Sequence, residues 1–75
     1  MEKTIVRKSD VVTITQREID TFQMIADEKS REEIAAIYNQ SRRTVEAFIY
    51  RTMVKVGTTT QEGTIALFFR NDLIK

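Results

Sequence analysis

The chain has 75 residues, of which 41% are hydrophobic and 31% charged, with a formal net charge of +1 and neither Cys nor His. This length predicts one globular domain with a thin core, and the missing ligands exclude disulfides and Cys/His zinc sites. There is no apolar run of about 18 residues and no apolar signal segment. We therefore predict a cytoplasmic protein, bacterial or from a phage, with no membrane partner.

The residue types that enzymes use most for acid–base or covalent catalysis are scarce. There is no His or Cys to act as a base or thiol nucleophile, and no Gly-rich phosphate loop. The acidic residues fall among polar helix positions, which is typical of a solvated face. We therefore predict that the protein is not an enzyme and has no metal or cofactor.

The chain begins with a predicted arm, residues 1–12, whose apolar residues of note are Ile5-Val6 and Val11-Val12. The first helix is predicted to begin after Thr15, because Glu18 follows three residues later in the capping-box pattern. Its apolar stripe at helical spacing consists of Ile19, Phe22, Ile25 and Ala26.

Two further helices are predicted on either side of the turn Asn39-Gln40. Ser30 caps the shorter one and Glu33 completes its capping box. Ser41 caps the longer one, and Gly57 ends it, as Gly commonly does at this position. The residues expected to face the core are Ile34, Ala35, Ile37 and Tyr38 in the shorter helix and Val45, Phe48, Ile49, Thr52, Met53 and Val56 in the longer helix, residues 41–56.

A fourth helix is predicted after Thr60, and it contains the apolar run Ile65-Ala66-Leu67-Phe68-Phe69. Five apolar residues in a row wrap around a helix, so one side would be exposed on a monomer. We interpret Leu67 and Phe68, with Gly63 on the same helix, as a contact between two subunits. The alternative is that the small domain, or its arm, encloses this helix more fully.

Charge is distributed unevenly over the predicted helices. Residues 16–33 carry three basic and six acidic groups, a balance of −3, whereas residues 41–56 carry four basic groups and one acid, a balance of +3. Such a contrast can turn one face toward phosphate and the other away, although both can also be solvated faces. Two helices joined by a short polar turn, with Arg42 and Arg43 opening the second, have the layout of a DNA-reading helix-turn-helix.

Motifs at fixed spacing along the chain resemble one known family. Ile14-Thr15-Gln16-Arg17-Glu18 is similar to its opening L-T-x-R-E. The residues that match its later motifs at the same spacing are Ser30, Glu33-Ile34-Ala35, Ser41, Thr44-Val45, Lys55, Gly57 and Leu73-Ile74. Over residues 13–75 the chain therefore resembles the LuxR-type (GerE-like) helix-turn-helix domain.

The resemblance implies an all-α fold of four helices, with the third in the major groove and the fourth often pairing subunits. It divides the chain into an arm at residues 1–12 and the helix-turn-helix domain at residues 13–75, and it implies a DNA-binding transcription regulator. We expect a stand-alone domain that binds double-stranded DNA as a homodimer. A related regulator is the alternative partner. RNA polymerase is a further one, because the DNA-reading helix-turn-helix of a sigma factor shares this motif shape.

Some residues depart from the family pattern. Glu46 replaces a basic residue, Phe48 replaces a His, Glu28 replaces a Gly before the second helix, and Gly63 replaces an Ala in the fourth. Tyr50 occupies a position that faces bases in the family.

The residues expected to meet DNA are Arg31, Arg42, Arg43, Thr44, Val45, Glu46, Ala47, Tyr50, Arg51 and Lys55. The arginines of the third helix are expected on phosphates, although one of them can instead reach guanine O6 and N7. Ala47 can meet a thymine methyl group. Val45 lies near the groove in the family, but its residue type favours the core. Lys55 has an alternative role at the helix C-terminus, and Arg31 an alternative as a solvated side chain.

Glu46 admits two interpretations. Its carboxylate can accept a hydrogen bond from cytosine N4 and so select sequence, and it can pair with Arg42, Arg43 or Tyr50 on the same helix face. Alternatively, its charge near phosphates lowers affinity. The protein is then an antagonist that pairs with a related regulator through the C-terminal helix and does not itself bind DNA strongly.

Overall fold

The computed structural model describes the backbone of residues 3–7 and 10–75, and their side chains except those at 6 and 7. The elements in chain order are β1 (Lys3–Arg7), β2 (Asp10–Ile14), α1 (Gln16–Ala26), α2 (Arg31–Tyr38), α3 (Arg42–Val56) and α4 (Gln61–Arg70). The four predicted helices are present, which confirms the all-α, four-helix class. Among the described helices, none has the length and apolar character needed to cross a bilayer.

The N-terminal segment forms a β-hairpin, whereas the sequence predicted only an arm. β1 and β2 pair antiparallel, with Ile5 opposite Val12 and Lys3 opposite Ile14. The β-branched residues of both strands favour this extended pairing. Ile5 and Ile14 are buried in the same core as the helices, and this packing supports a two-stranded sheet that would be marginal alone. Residues 1–2 and 8–9 of the predicted arm lie outside the described residues.

Each helix begins where a local capping signal predicts. Thr15 Oγ1 accepts from the Glu18 backbone N–H at 3.2 Å, and the Thr15 N–H donates to Glu18 Oε1 at 2.8 Å. Ser30 and Glu33 repeat this reciprocal arrangement at the start of α2. These contacts use backbone N–H groups that otherwise have no partner in a first helical turn.

The core lies where the four helices and the hairpin meet. The rings of Phe22 in α1 and Phe68 in α4 are both fully buried, with centroids 5.2 Å apart and a tilted arrangement. Ile34 of α2 and Ile49 of α3 join the same cluster, which fixes the helix pair against the rest of the domain. Ile37 is predicted to face the core but is 57% exposed. Only a narrow apolar face of α2, with Ile34 and Ala35, is buried, and Ile37 lies outside it.

Candidate nucleic-acid interface

The α2–α3 pair has the geometry of a helix-turn-helix. Asn39 adopts a left-handed conformation with φ 53°, which stops α2 immediately after Tyr38 and turns the chain. Asn tolerates this conformation better than most residues. Ser41 then caps α3 by accepting from the Thr44 backbone N–H at 3.0 Å. The short turn therefore places the first residues of α3 at the surface.

The two faces of α3 differ in exposure. Its inner face consists of the buried residues Val45, Ile49, Thr52 and Val56. Val45 is 1% exposed in the core, so the structure corrects its predicted role as a DNA contact. The opposite face is exposed, and it contains Arg43, Thr44, Glu46, Ala47, Tyr50, Arg51 and Val54. A duplex would meet this second face, because the first is sealed against the domain.

Arg43 and Arg51 are exposed cations on the outer face of α3. Neither forms an ion pair or a side-chain hydrogen bond with any residue that the structure describes. Their charges are therefore available to an anion such as phosphate. Thr44 is also exposed, and its hydroxyl lies 2.9 Å from the Ser41 hydroxyl at the helix start.

Arg42 differs from its neighbour Arg43 because two carboxylates hold its guanidinium. Its Nη1 donates to Glu32 Oε2 of α2 at 2.5 Å, and its Nε donates to Glu46 Oε2, one turn along α3, at 3.2 Å. The hydrogen bond to Glu46, followed by the charge of Glu32, raises the pKa of Arg42 further above its ordinary value. The positive charge of Arg42 is thus already paired within the protein.

Lys55 is also engaged inside the protein. Its Nζ donates to both carboxylate oxygens of Glu18, at 2.8 and 2.9 Å, and to the carbonyl of Thr13 at 3.0 Å. It therefore joins α3 to α1 and to the hairpin. This geometry corrects the prediction that Lys55 binds DNA. Lys55 also lies in the last turn of α3, where a positive charge interacts favourably with the helix dipole.

Arg31, at the first position of α2, donates to the side-chain oxygen of Gln61, at the first position of α4. The two residues lie on the wall of a cleft of about 300 Å³. Glu46, Tyr50 and Met53 line the same cleft from α3. The structure thus brings Arg31 beside the outer face of α3, although Arg31 itself is half-buried.

The sequence pattern of the family described as bacterial regulatory proteins, luxR family (GerE), matches residues 12–68. The chain belongs to the LuxR family. No curated protein and no solved structure gives a significant match to it. Membership assigns this LuxR-family domain to the DNA-binding regulators of transcription, and it accounts for the helix-turn-helix geometry of α2 and α3.

This LuxR-family domain departs from the predicted subunit contact at one residue. Phe68 is completely buried against Phe22, so the prediction that its side chain reaches a partner is wrong. The next residue, Phe69, is 60% exposed. Leu67 is half-buried, and Gly63 lies in the first turn of α4, where its N–H donates to Thr60 Oγ1 at 2.9 Å.

Three features of this LuxR-family domain do not follow from the sequence prediction. Glu32, which binds Arg42, and Glu18, which binds Lys55, fall at positions that the sequence pattern predicts as a solvated face. Their partners lie 10 and 37 residues away, so no local spacing indicates the contacts. The sequence does contain an indication of the hairpin, since both of its strands are rich in β-branched residues. In the described part of the chain, no group of acidic side chains converges as it would around a metal ion.

Proposed function

We propose that this protein is a transcription regulator that reads the major groove with α3 and binds DNA as a homodimer. The single observation that carries the proposal is the outer face of α3. That face presents Arg43 and Arg51 without a protein partner among the described residues, next to exposed groups that can meet base edges. The geometry suits phosphate contacts from the arginines and base contacts between them.

The base-facing part of α3 comprises Glu46, Ala47 and Tyr50. All three are exposed on the same side of the helix. Ala47 offers a methyl group for contact with a thymine methyl, and the carboxylate of Glu46 accepts from cytosine N4. The hydroxyl of Tyr50 donates to a phosphate or base. These three side chains are the proposed source of sequence preference.

The homodimer is proposed to form through α4. Phe69 is an exposed aromatic residue of α4, and aromatic side chains are enriched in protein contacts. Two copies would present two α3 helices to half-sites about one helical turn apart. The operator is then expected to be roughly palindromic.

Selection from random duplexes, followed by a salt titration of the best binder, tests the proposal. We expect an enriched near-palindrome and an affinity that falls steeply with salt. Arg43→Ala should weaken binding to every duplex and reduce the salt slope by about 1. Lys75→Ala, which removes an equal charge at the C-terminus, is the matched control and should leave both quantities unchanged. Absence of binding by the wild-type protein at low salt would refute the proposal.

A second candidate function is an antagonist that pairs with a related regulator through α4 and blocks its DNA binding. The exposure of Phe69 supports this function as well, since a contact surface on α4 serves either dimer. The same selection separates the two. An antagonist enriches no duplex, yet forms mixed dimers with a LuxR-family regulator in light scattering, and Phe69→Ala weakens those dimers.

A further inference from the structure

The first turn of α3 carries an ionic network that phosphate binding leaves unexplained. Arg42 bridges Glu32 of α2 and Glu46 of α3 through two different nitrogens. The formal charges of the three side chains sum to −1. A corner with this net charge offers a phosphate no attraction, although Arg42 lies beside the phosphate candidate Arg43. Arg42 must therefore contribute to the outer face in another way.

The network constrains the carboxylate of Glu46. Its Oε2 receives the Nε–H of Arg42 at 3.2 Å, and the described residues donate no hydrogen bond to its Oε1. Glu46 follows Arg42 by four residues and precedes Tyr50 by four, so its side chain differs from each of theirs by about 40° in direction around the helix. Oε1 is thus an open acceptor on the face that carries Tyr50.

Glu32 completes the arrangement from outside α3. Glu32 is on α2, and its carboxylate lies 2.5 Å from Nη1 of Arg42. The guanidinium is therefore held by both helices of the pair, whereas Glu46 alone would hold it only within α3. An Arg guanidinium is a rigid planar fork, so fixing one nitrogen also fixes the direction of the other donors. The contact with Arg42 also offsets the repulsion between Glu46 and nearby phosphates.

We propose that Arg42 is a positioning residue, anchored by Glu32, which orients Glu46 so that its open oxygen accepts from cytosine N4 in each half-site. The inference rests on the proposed function, since it says how Glu46 is held for the base contact proposed there. It assigns Arg42 and Arg43, adjacent arginines on one helix, to different tasks. Arg43 supplies affinity for any duplex, and Arg42 supplies discrimination at one base pair.

Selection and salt titration of the wild type, Glu46→Gln, Arg42→Ala and Arg43→Ala test this division. The wild type should select a C·G pair at one fixed position of the half-site. Glu46→Gln should select adenine at that position, since an amide pairs with adenine N6 and N7. Arg42→Ala should reduce the preference for C·G about tenfold and leave the salt slope unchanged. Arg43→Ala should reduce the salt slope by about 1 and leave the preference for C·G unchanged.

Two further variants separate positioning from charge. Arg42→Lys keeps the positive charge but lacks the fork that reaches both carboxylates, so it should lose discrimination as Arg42→Ala does. Glu32→Gln changes a residue on α2 and weakens the anchor, and it should reduce discrimination by a smaller factor. Thermal unfolding of each variant checks that the domain remains folded, which the exposure of these side chains favours.

The outcomes that contradict the inference differ from those that contradict the proposed function. A wild type that binds duplexes, with Arg42→Ala lowering the salt slope by about 1 at unchanged preference, would make Arg42 an ordinary phosphate ligand. An unchanged preference in Glu46→Gln would remove the reading role of Glu46. Both results overturn this inference and leave DNA binding by α3 in place, although the second also removes Glu46 from the proposed base contacts. A wild type that binds no duplex overturns the proposed function together with the inference.

Discussion

Lys55 of α3 and Glu18 of α1 form the most buried ion pair among the described residues. The Lys55 ammonium lies 2.8 Å from Glu18 Oε1, and the glutamate side chain is only 9% exposed. The same carboxylate accepts from the Thr15 N–H in the capping box of α1. One buried carboxylate thus caps α1 and also fixes the C-terminal part of α3, the helix proposed to read DNA.

Lys55→Met should destabilise the domain by about 1–3 kcal/mol, because it leaves a nearly buried carboxylate without its cation. Urea unfolding of Lys55→Met, Glu18→Gln and the double variant measures the coupling. Gln at position 18 can still complete the capping box, so Lys55→Met should cost much less in that background. Equal costs in both backgrounds would show that the pair contributes no coupling energy.

Phe68→Ala should destabilise the domain by about 3–5 kcal/mol, because it removes a fully buried ring from contact with Phe22. Phe69→Ala is the matched control, as it removes the same ring from a site that is 60% exposed. Its effect on the unfolding of the monomer should stay within about 0.5 kcal/mol. Since Phe68→Ala can prevent folding of so small a domain, Phe68→Leu provides a milder comparison. Equal losses of stability at 68 and 69 would contradict the assignment of these two faces.

Helix starts and the inner face of α3 were predictable because their signals are local. A cap is specified by residues three apart, such as Ser30 and Glu33, and a buried stripe by helical spacing. The face of α4 that turns inward was not predictable. Its run of apolar residues from 65 to 69 has no stripe, so only packing on α1 decides that Phe68 is buried and Phe69 exposed.

The sequence predicts the residue types of the candidate site, and it offers Arg42 as one partner of Glu46, a pairing that the structure confirms. It does not predict the contact between Arg42 and Glu32. The exposure of Arg43, Ala47 and Tyr50 follows from the positions of the buried residues on the same helix. The capture of Arg42 by Glu32 depends on how α2 and α3 are packed, and these residues lie 10 apart in the chain. A basic residue at the start of a recognition helix is therefore a phosphate candidate only until its acidic neighbours are known.

Glu28→Gly should stabilise the domain by about 0.5–1 kcal/mol. Glu28 has φ 67° between α1 and α2, a left-handed conformation that costs an L-residue about 1–2 kcal/mol and costs Gly little. Part of the gain is offset by the greater freedom of Gly in the unfolded chain. Thermal unfolding should show a midpoint a few degrees higher. Lys29→Gly, at the adjacent exposed residue without a positive φ, is the control and should not stabilise. A midpoint for Glu28→Gly at or below the wild-type value would contradict this reasoning.

Glu33 should make the start of α2 sensitive to acid. The backbone N–H of Ser30 hydrogen-bonds its carboxylate, and with the Ser30 hydroxyl and the charge of Lys29 this contact lowers the pKa of Glu33 below its ordinary value of 4.5. A lowered pKa means that the folded state favours the charged form. The resulting stabilisation is therefore present above pH 4.5, and it is lost as the pH falls through the lower, folded-state pKa.

The difference in unfolding free energy between the wild type and Glu33→Gln should accordingly be larger at neutral pH than in strong acid. Carbon-detected NMR titration of the Glu33 carboxyl measures its pKa directly. Ser30→Ala, which removes the capping hydroxyl and loosens the reciprocal contact, should move that pKa upward toward 4.5. A wild-type carboxyl that titrates at or above 4.5 would show that the capping box does not stabilise the charged form in solution.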